Sequence, residues 1–153
     1  MTAASNPKKT KPNKRRMARI YAMQALYQWQ FTLQDPELLL EDFLFEEGVQ
    51  PESVDMSYFQ TLVLGTLSHV KSLDALMTPH LDRDIARLNP VELSTLRMAV
   101  FELVYCKEVP YAVVINEAIE LVKEYGSVDG YKFVNGVLDA LAPSLRELEH
   151  RTR

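Results

Sequence analysis

Apolar residues recur along most of this chain at the three- and four-residue intervals of a helix, and polar punctuation between them marks starts and stops. From Arg16 to about Leu33, residues Ala18, Ala22, Ala25, Leu26, Trp29 and Leu33 fall on one stripe, which predicts a first helix with that stripe toward the core. Arg16, Arg19, Met23 and Tyr27 share a different face, within about 80° of one another at roughly 100° per residue. That face is expected to be open, so two guanidiniums and a phenol ring should share one exposed surface.

In "DPELLLEDFLFEEG", Asp35 reads as an N-cap, Pro36 as the first helical residue and Gly48 as the stop, because proline lacks only an N–H that the first turn never uses. Phe59, Leu62, Val63, Val70, Leu73 and Met77 mark a third helix from near Asp55 to about Leu76, and Pro79 prevents smooth continuation. A short helical turn is expected around "HLDRDIARL". "NPVE" repeats the start signal, with Asn89 as cap, Pro90 next and Glu92 placed to reach back in a capping box; that helix should end near Cys106. "VPYAVVINEAIELVKEYG" carries the stripe Ile115, Ala118, Ile119, Val122 and Tyr125 and stops at Gly126, whose tolerance of positive φ suits a helix end. A last helix, "YKFVNGVLDALA", presents Phe133 or Val134, then Val137, Leu138 and Leu141, and should stop before Pro143. No period-2 strand with turn signals at both ends stands out, and no internal repeat. The expected architecture is all-α, about seven helices in a compact single domain, packed as one bundle or as two helical sub-bundles.

Charge changes this picture at one end. The chain has 17 Lys and Arg against 21 Asp and Glu, yet seven of the basic residues lie within "KKTKPNKRRMAR" and the first acid is Asp35. A front of +7 therefore precedes a body of −11, the pattern of a basic arm on an acidic globule that meets a polyanion. Nucleic acid, a membrane surface and an import receptor all fit, and so does an organellar transit peptide; charge alone does not choose. Gln24, Gln28 and Gln30 interrupt any signal-peptide core, and no run of eighteen apolar residues exists to span a membrane. At 153 residues and 47% hydrophobic, the chain suits one core. The lone Cys106, in "VFELVYC", allows no internal disulfide, is expected as a small buried hydrophobe and favours a reducing compartment.

Candidate chemistry is sparse. His69, His80 and His150 lack metal-ligand spacing, five glycines make no phosphate loop, and no nucleophile elbow is present. Glu117, Glu120 and Glu124 alternate with Lys123 as a solvated helix face does. No enzyme, cofactor or metal site is expected. Two blocks hold more than packing needs: the arm with Arg16, Arg19 and Tyr27, and "GSVDGYKFVNG", where Asp129, Lys132, Phe133 and Asn135 crowd a turn and a helix start. Asp129 as a cap and Phe133 as core are the plain readings. A helix N-terminus that offers N–H groups, and a ring beside a lysine, equally suit single-stranded nucleic acid.

"RRMARIYAMQALYQWQ", "PVELSTLRMAVFEL" and "VPYAVVINEAIELVKEYGSVDGYKFVNGVLDALAP" resemble, in unbroken order over about residues 14 to 143, the NusB family of bacterial transcription antitermination factors. The resemblance implies two helical sub-bundles and a cytoplasmic RNA-binding protein without catalytic activity. It also implies pairing with the small-subunit ribosomal protein NusE on single-stranded boxA RNA, within a complex of other Nus factors and RNA polymerase. By the same resemblance Arg15, Arg16, Arg19, Tyr27, Asp129, Lys132 and Phe133 contact RNA, while His80 and Glu92 lie on the partner's side. Met17 interrupts what is commonly a continuous arginine run, and Lys14, with Lys8, Lys9 and Lys11, extends the charge upstream. The organisation expected is a flexible basic arm over 1–14, a helical RNA-binding domain over 15–145 and a polar tail over 146–153. Two further expectations follow. Arg16 and Arg19 should be replaceable by alanine with little loss of stability, and Glu92, on an acidic docking face, should be reversible without harm to RNA binding. The rival classes are an interaction adaptor with an idle basic tail and the accessory domain of an RNA-modifying complex.

Overall fold

A computed structural model describes residues 12–147. Within them lie seven α-helices and no strand: α1 (Lys14–Thr32), α2 (Pro36–Leu44), α3 (Met56–Ser68), α4 (Val70–Met77), α5 (Pro90–Tyr105), α6 (Tyr111–Tyr125) and α7 (Gly130–Leu145). Helix α5 is the central post, with α1 and α3 packed on it from one side and α6 and α7 from the other, while α2 covers α1 and α3. Two sub-bundles thus share one helix and one continuous core. No helix among the described residues is long and apolar enough to cross a membrane.

The starts follow local chemistry. Asn13, Asp35, Asp55 and Asn89 each accept a backbone N–H of the helix they precede, with Pro36 and Pro90 in the first turn. The ends follow tertiary contacts more than composition. Leu33, expected in the core stripe, is instead the left-handed cap of α1 at φ 52° and is largely exposed; its N–H goes to the Trp29 carbonyl. Helix α2 stops at Leu44, four residues before Gly48, which takes φ +90° in the turn beyond. The helix expected from Asp55 to Leu76 is two helices, broken at His69 (φ −119°, ψ 16°). There the imidazole stacks on Tyr105 with centroids 4.4 Å apart, so contact with α5 sets the break while the apolar spacing runs through it.

Pro143, expected to lie beyond the last helix, is inside α7. Its missing N–H removes one bond, and the turn after it is held by Arg146. The Arg146 guanidinium is buried and donates to the carbonyls of Leu103 (2.6 Å), Val109 (2.9 Å), Glu102 (3.1 Å) and Cys106 (3.1 Å). Those oxygens belong to the last turn of α5 and the connection after it, where the helix dipole favours a cation; the Glu102 and Cys106 carbonyls also accept the backbone N–H groups of Cys106 and Val109. Arg146 is therefore part of the body, not of a polar tail as expected from the sequence; residues 148–153, like 1–11 with Lys8, Lys9 and Lys11, lie outside the described residues.

Candidate nucleic-acid interface

The front of α1 is fastened to the body by its own cations. Lys14, Arg15 and Arg16 occupy its first turn and are exposed. The Arg15 guanidinium lies over the Tyr58 ring, 3.7 Å from its centroid, and reaches Asp55 at 3.4 Å, while the Asp55 N–H donates to the Lys14 carbonyl. Asp55 also caps α3, so one carboxylate joins the starts of two helices. Arg16 forms a two-pronged ion pair with Glu117 of α6, Nε to Oε1 at 3.0 Å and Nη2 to Oε2 at 2.7 Å.

Arg19 is not on an open surface, contrary to the pattern read from spacing. It is 4% exposed, and Met23, one turn on, is buried too, because α2, α3 and α5 enclose this helix on several sides. Its guanidinium clasps Glu102 of α5, Nε to Oε1 at 3.0 Å and Nη2 to Oε2 at 2.9 Å; the Tyr58 hydroxyl donates to the same carboxylate at 2.5 Å. Burial works against the Arg19 charge, yet hydrogen bonds and charge from Glu102 outweigh it and its pKa is raised. Burial, with Glu102 alongside, pushes the Tyr58 phenol well above its ordinary range and keeps it a donor. Arg19 is thus a buried structural ion, held by the protein's own carboxylates.

At the other end of α1, Tyr27 remains exposed and pairs with Phe31, centroids 5.2 Å apart; Phe31 is 65% exposed. Periodicity does not single out Phe31, although its place one turn after Tyr27 is the signal that finds it. Gln30 ties this end to the start of α5, donating to the Pro90 carbonyl and Ser94 Oγ at 2.8 and 2.7 Å.

The same start of α5 holds the second block. Glu92, 4% exposed, does not close a capping box on Asn89; its Oε2 accepts the Ser127 N–H at 3.1 Å and the Ser127 hydroxyl at 2.7 Å. A Cβ at Gly130 would lie 2.2 Å from that oxygen, so only glycine lets the first turn of α7 approach the carboxylate. Glu92 at the positive end of α7 is favourable, and it anchors the α6–α7 connection from inside. It is therefore not a docking acid on the surface, which corrects the expectation. Gly126, for its part, ends α6 at φ −92°, so positive φ plays no part there.

Beyond that anchor Asp129 is exposed and makes no side-chain cap; it sits 3.7 Å from Lys132, itself exposed. Phe133 is half-buried against the core with the Arg83 guanidinium 4.9 Å from its ring, so the plain reading as core is partly met and one ring face already has a cation. Tyr131 was not singled out by spacing, yet it is half-buried with Lys123 at 5.0 Å and Lys132 at 5.9 Å from its ring. His80 is exposed in a short 3-10 turn after α4. Between α1 and α6 runs a groove of about 560 Å³, with Arg16 and Gln24 on one wall and Glu117, Glu120, Glu124 and Tyr125 on the other.

An all-helical body with exposed cations at one helix start, and exposed rings and a lysine-bearing turn tied to its central post, has the form of a nucleic-acid-binding protein without a nucleotide fold. The family model described as NusB matches residues 16–143. A transcription antitermination protein NusB of Coxiella burnetii (strain Dugway 5J108-111) is 51% identical over 133 residues, covering 87% of this chain and 95% of that protein. One of Histophilus somni (strain 2336) is 45% identical over 131 residues, covering 86% and 91%. Among solved structures, NusB of T. maritima superimposes with a TM-score of 0.78 at 30% identity over 94% of this chain and 99% of that one. A crystal structure of antitermination factors NusB and NusE in complex with dsRNA matches with a TM-score of 0.75 at 31% identity, covering 84% of this chain and 96% of that chain. This chain belongs to the NusB family.

Proposed function

We propose that the chain is a transcription antitermination factor that holds a boxA-type RNA on its cationic face while a NusE-type ribosomal protein binds beside it. Other Nus factors and RNA polymerase complete the assembly in the cytoplasm, and the contribution of this chain is binding, not catalysis. The observation that best supports this reading is its match, over 84% of its length, to a NusB held in a complex with NusE and RNA.

Physical chemistry assigns the parts. Lys14, Arg15, Arg16 and Lys132, all exposed, neutralise phosphates, and Lys8, Lys9 and Lys11 upstream of α1 add charge. That solved complex holds dsRNA. For this chain we read the target as single-stranded, because Tyr27, Phe31 and the lysine-flanked Tyr131 can stack only on unpaired bases. Asp129, an anion, accepts from a base edge or holds the turn. On the partner's side, His80 remains the proposed contact, and Glu92 acts only through the connection it anchors.

Affinity should come largely from counterion release. With about four phosphates contacted, log K against log salt is expected to fall with a slope near −3. The test is a titration of labelled boxA-type RNA with and without the ribosomal protein, against scrambled and duplex competitors. Tighter binding of the single strand with the partner present is expected. A slope near zero, or equal binding of all three RNAs, overturns the reading.

A further inference from the structure

Of the four exposed cations proposed above to contact phosphate, Arg15 and Lys132 have looser acid neighbours, Asp55 at 3.4 Å and Asp129 at 3.7 Å, whereas Arg16 is tightly engaged by an anion of the protein. The Arg16 guanidinium, with its side chain 46% exposed, meets the Glu117 carboxylate through both Nε and Nη2, at 3.0 and 2.7 Å. Two parallel N–H bonds to two oxygens is the geometry in which a guanidinium also takes a phosphate. Glu117 is anchored on its other side. Its side chain is only 14% exposed, and its Oε1 lies 3.7 Å from Nη1 of the buried Arg19. A surface carboxylate on a mobile stem would drift off into water; this one is kept at the fork by a second, buried cation.

We infer that Glu117 occupies the phosphate subsite of Arg16 as an internal surrogate, so that RNA must displace a carboxylate before it gains that contact. The inference rests on the RNA-binding reading above and concerns one subsite within it. Its consequence is weaker binding by the protein alone, and an assembly more dependent on whatever else raises local RNA concentration, such as a second RNA-binding subunit.

Competing effects can be separated. Removal of any acid near the groove lessens repulsion of RNA, and Glu120, which adds to the field at Arg16 without bonding it, is the control for that general effect. Freeing the fork is specific to Glu117. Arg19 retains both oxygens of Glu102 when Glu117 loses its charge, and Glu117→Gln keeps the shape and one acceptor, so the fold is expected to survive.

The experiment is a double-mutant cycle on single-stranded boxA-type RNA with the full chain: wild type, Glu117→Gln, Arg16→Ala and the pair, with Glu120→Gln beside them and melting curves for each. Glu117→Gln is expected to bind about 2- to 5-fold tighter, the ratio that matches a partly exposed ion pair of at most ~1 kcal/mol. Its salt slope should steepen by up to about 0.7, one more phosphate on a single strand. The gain should vanish in the Arg16→Ala background and be smaller in Glu120→Gln. If wild type binds but Glu117→Gln is unchanged or weaker, Glu117 positions Arg16 and the surrogate role is wrong. A gain that persists without Arg16 also overturns it, as mere charge removal. Failure of every variant to bind, with folds intact, removes the RNA-binding reading itself.

Discussion

Arg19→Ala is expected to destabilise the protein by about 3–5 kcal/mol, because it strands the Glu102 carboxylate in the core with a phenol as its remaining side-chain partner. For a chain of this size that corresponds to a melting temperature lower by roughly 10 °C or more. Arg16→Ala, in contrast, removes a half-exposed pair and should cost ~1 kcal/mol or less. Thermal or denaturant unfolding of the two single variants checks the contrast. Replacing both buried ions and the phenol that donates to them, Arg19→Met and Glu102→Leu with Tyr58→Phe, should recover most of the loss, since it is the unpaired charge that is costly. Equal, small effects of Arg16→Ala and Arg19→Ala would mean that Arg19 faces solvent after all.

The two arginines look alike in sequence for a physical reason. A three-residue spacing places both on one side of a helix, and nothing local reveals that the partner of the second lies 83 residues away on α5. The starts after Asp35 and Asn89 were legible because those side chains act on N–H groups within a few residues of themselves, whereas α1 begins at Lys14 behind the cap Asn13, two residues before the expected Arg16. Ends were less so. The break at His69 depends on a stack with Tyr105, and the survival of α7 through Pro143 depends on Arg146 and the carbonyls around the end of α5.

Glu92→Lys is expected to cost at least about 3 kcal/mol, for it puts a cation at the positive end of α7 and leaves the Ser127 N–H and hydroxyl without their acceptor. The α6–α7 connection then loses its anchor. RNA affinity should fall together with partner capture, whereas a surface acid would affect the partner alone. Glu92→Gln separates charge from shape: it keeps an acceptor, should cost on the order of 1–2 kcal/mol, and should leave partner capture about unchanged. Circular dichroism melts with pull-down and RNA titration on both variants check this. Loss of partner capture in Glu92→Gln at an unchanged melting temperature would place the carboxylate in the interface.

Of the candidate site, the two blocks were visible in sequence and their connection was not. Lys14, Arg15, Tyr27, Asp129 and Lys132 are exposed where charge and spacing suggested, while Phe133 is shared between the core and Arg83. What joins the blocks is long-range: Gln30 and Glu92 tie the far end of α1 and the α6–α7 connection to the same turn of α5. Phe31 and Tyr131 come into view only once side chains are placed around them.

RNA is expected at three places: the exposed cations that open α1, the exposed rings Tyr27 and Phe31 near its other end, and the start of α7. Mapping backbone amide shifts of the full chain as single-stranded boxA-type RNA is added tests this directly. Shifts gathered at residues 13–16, at Tyr27 and Phe31, and at 129–133 are the expected result, with Arg19 and Glu102 little moved. Undisturbed amides at all three places, with shifts gathered instead around α2 and the turn at Phe45, would contradict the account.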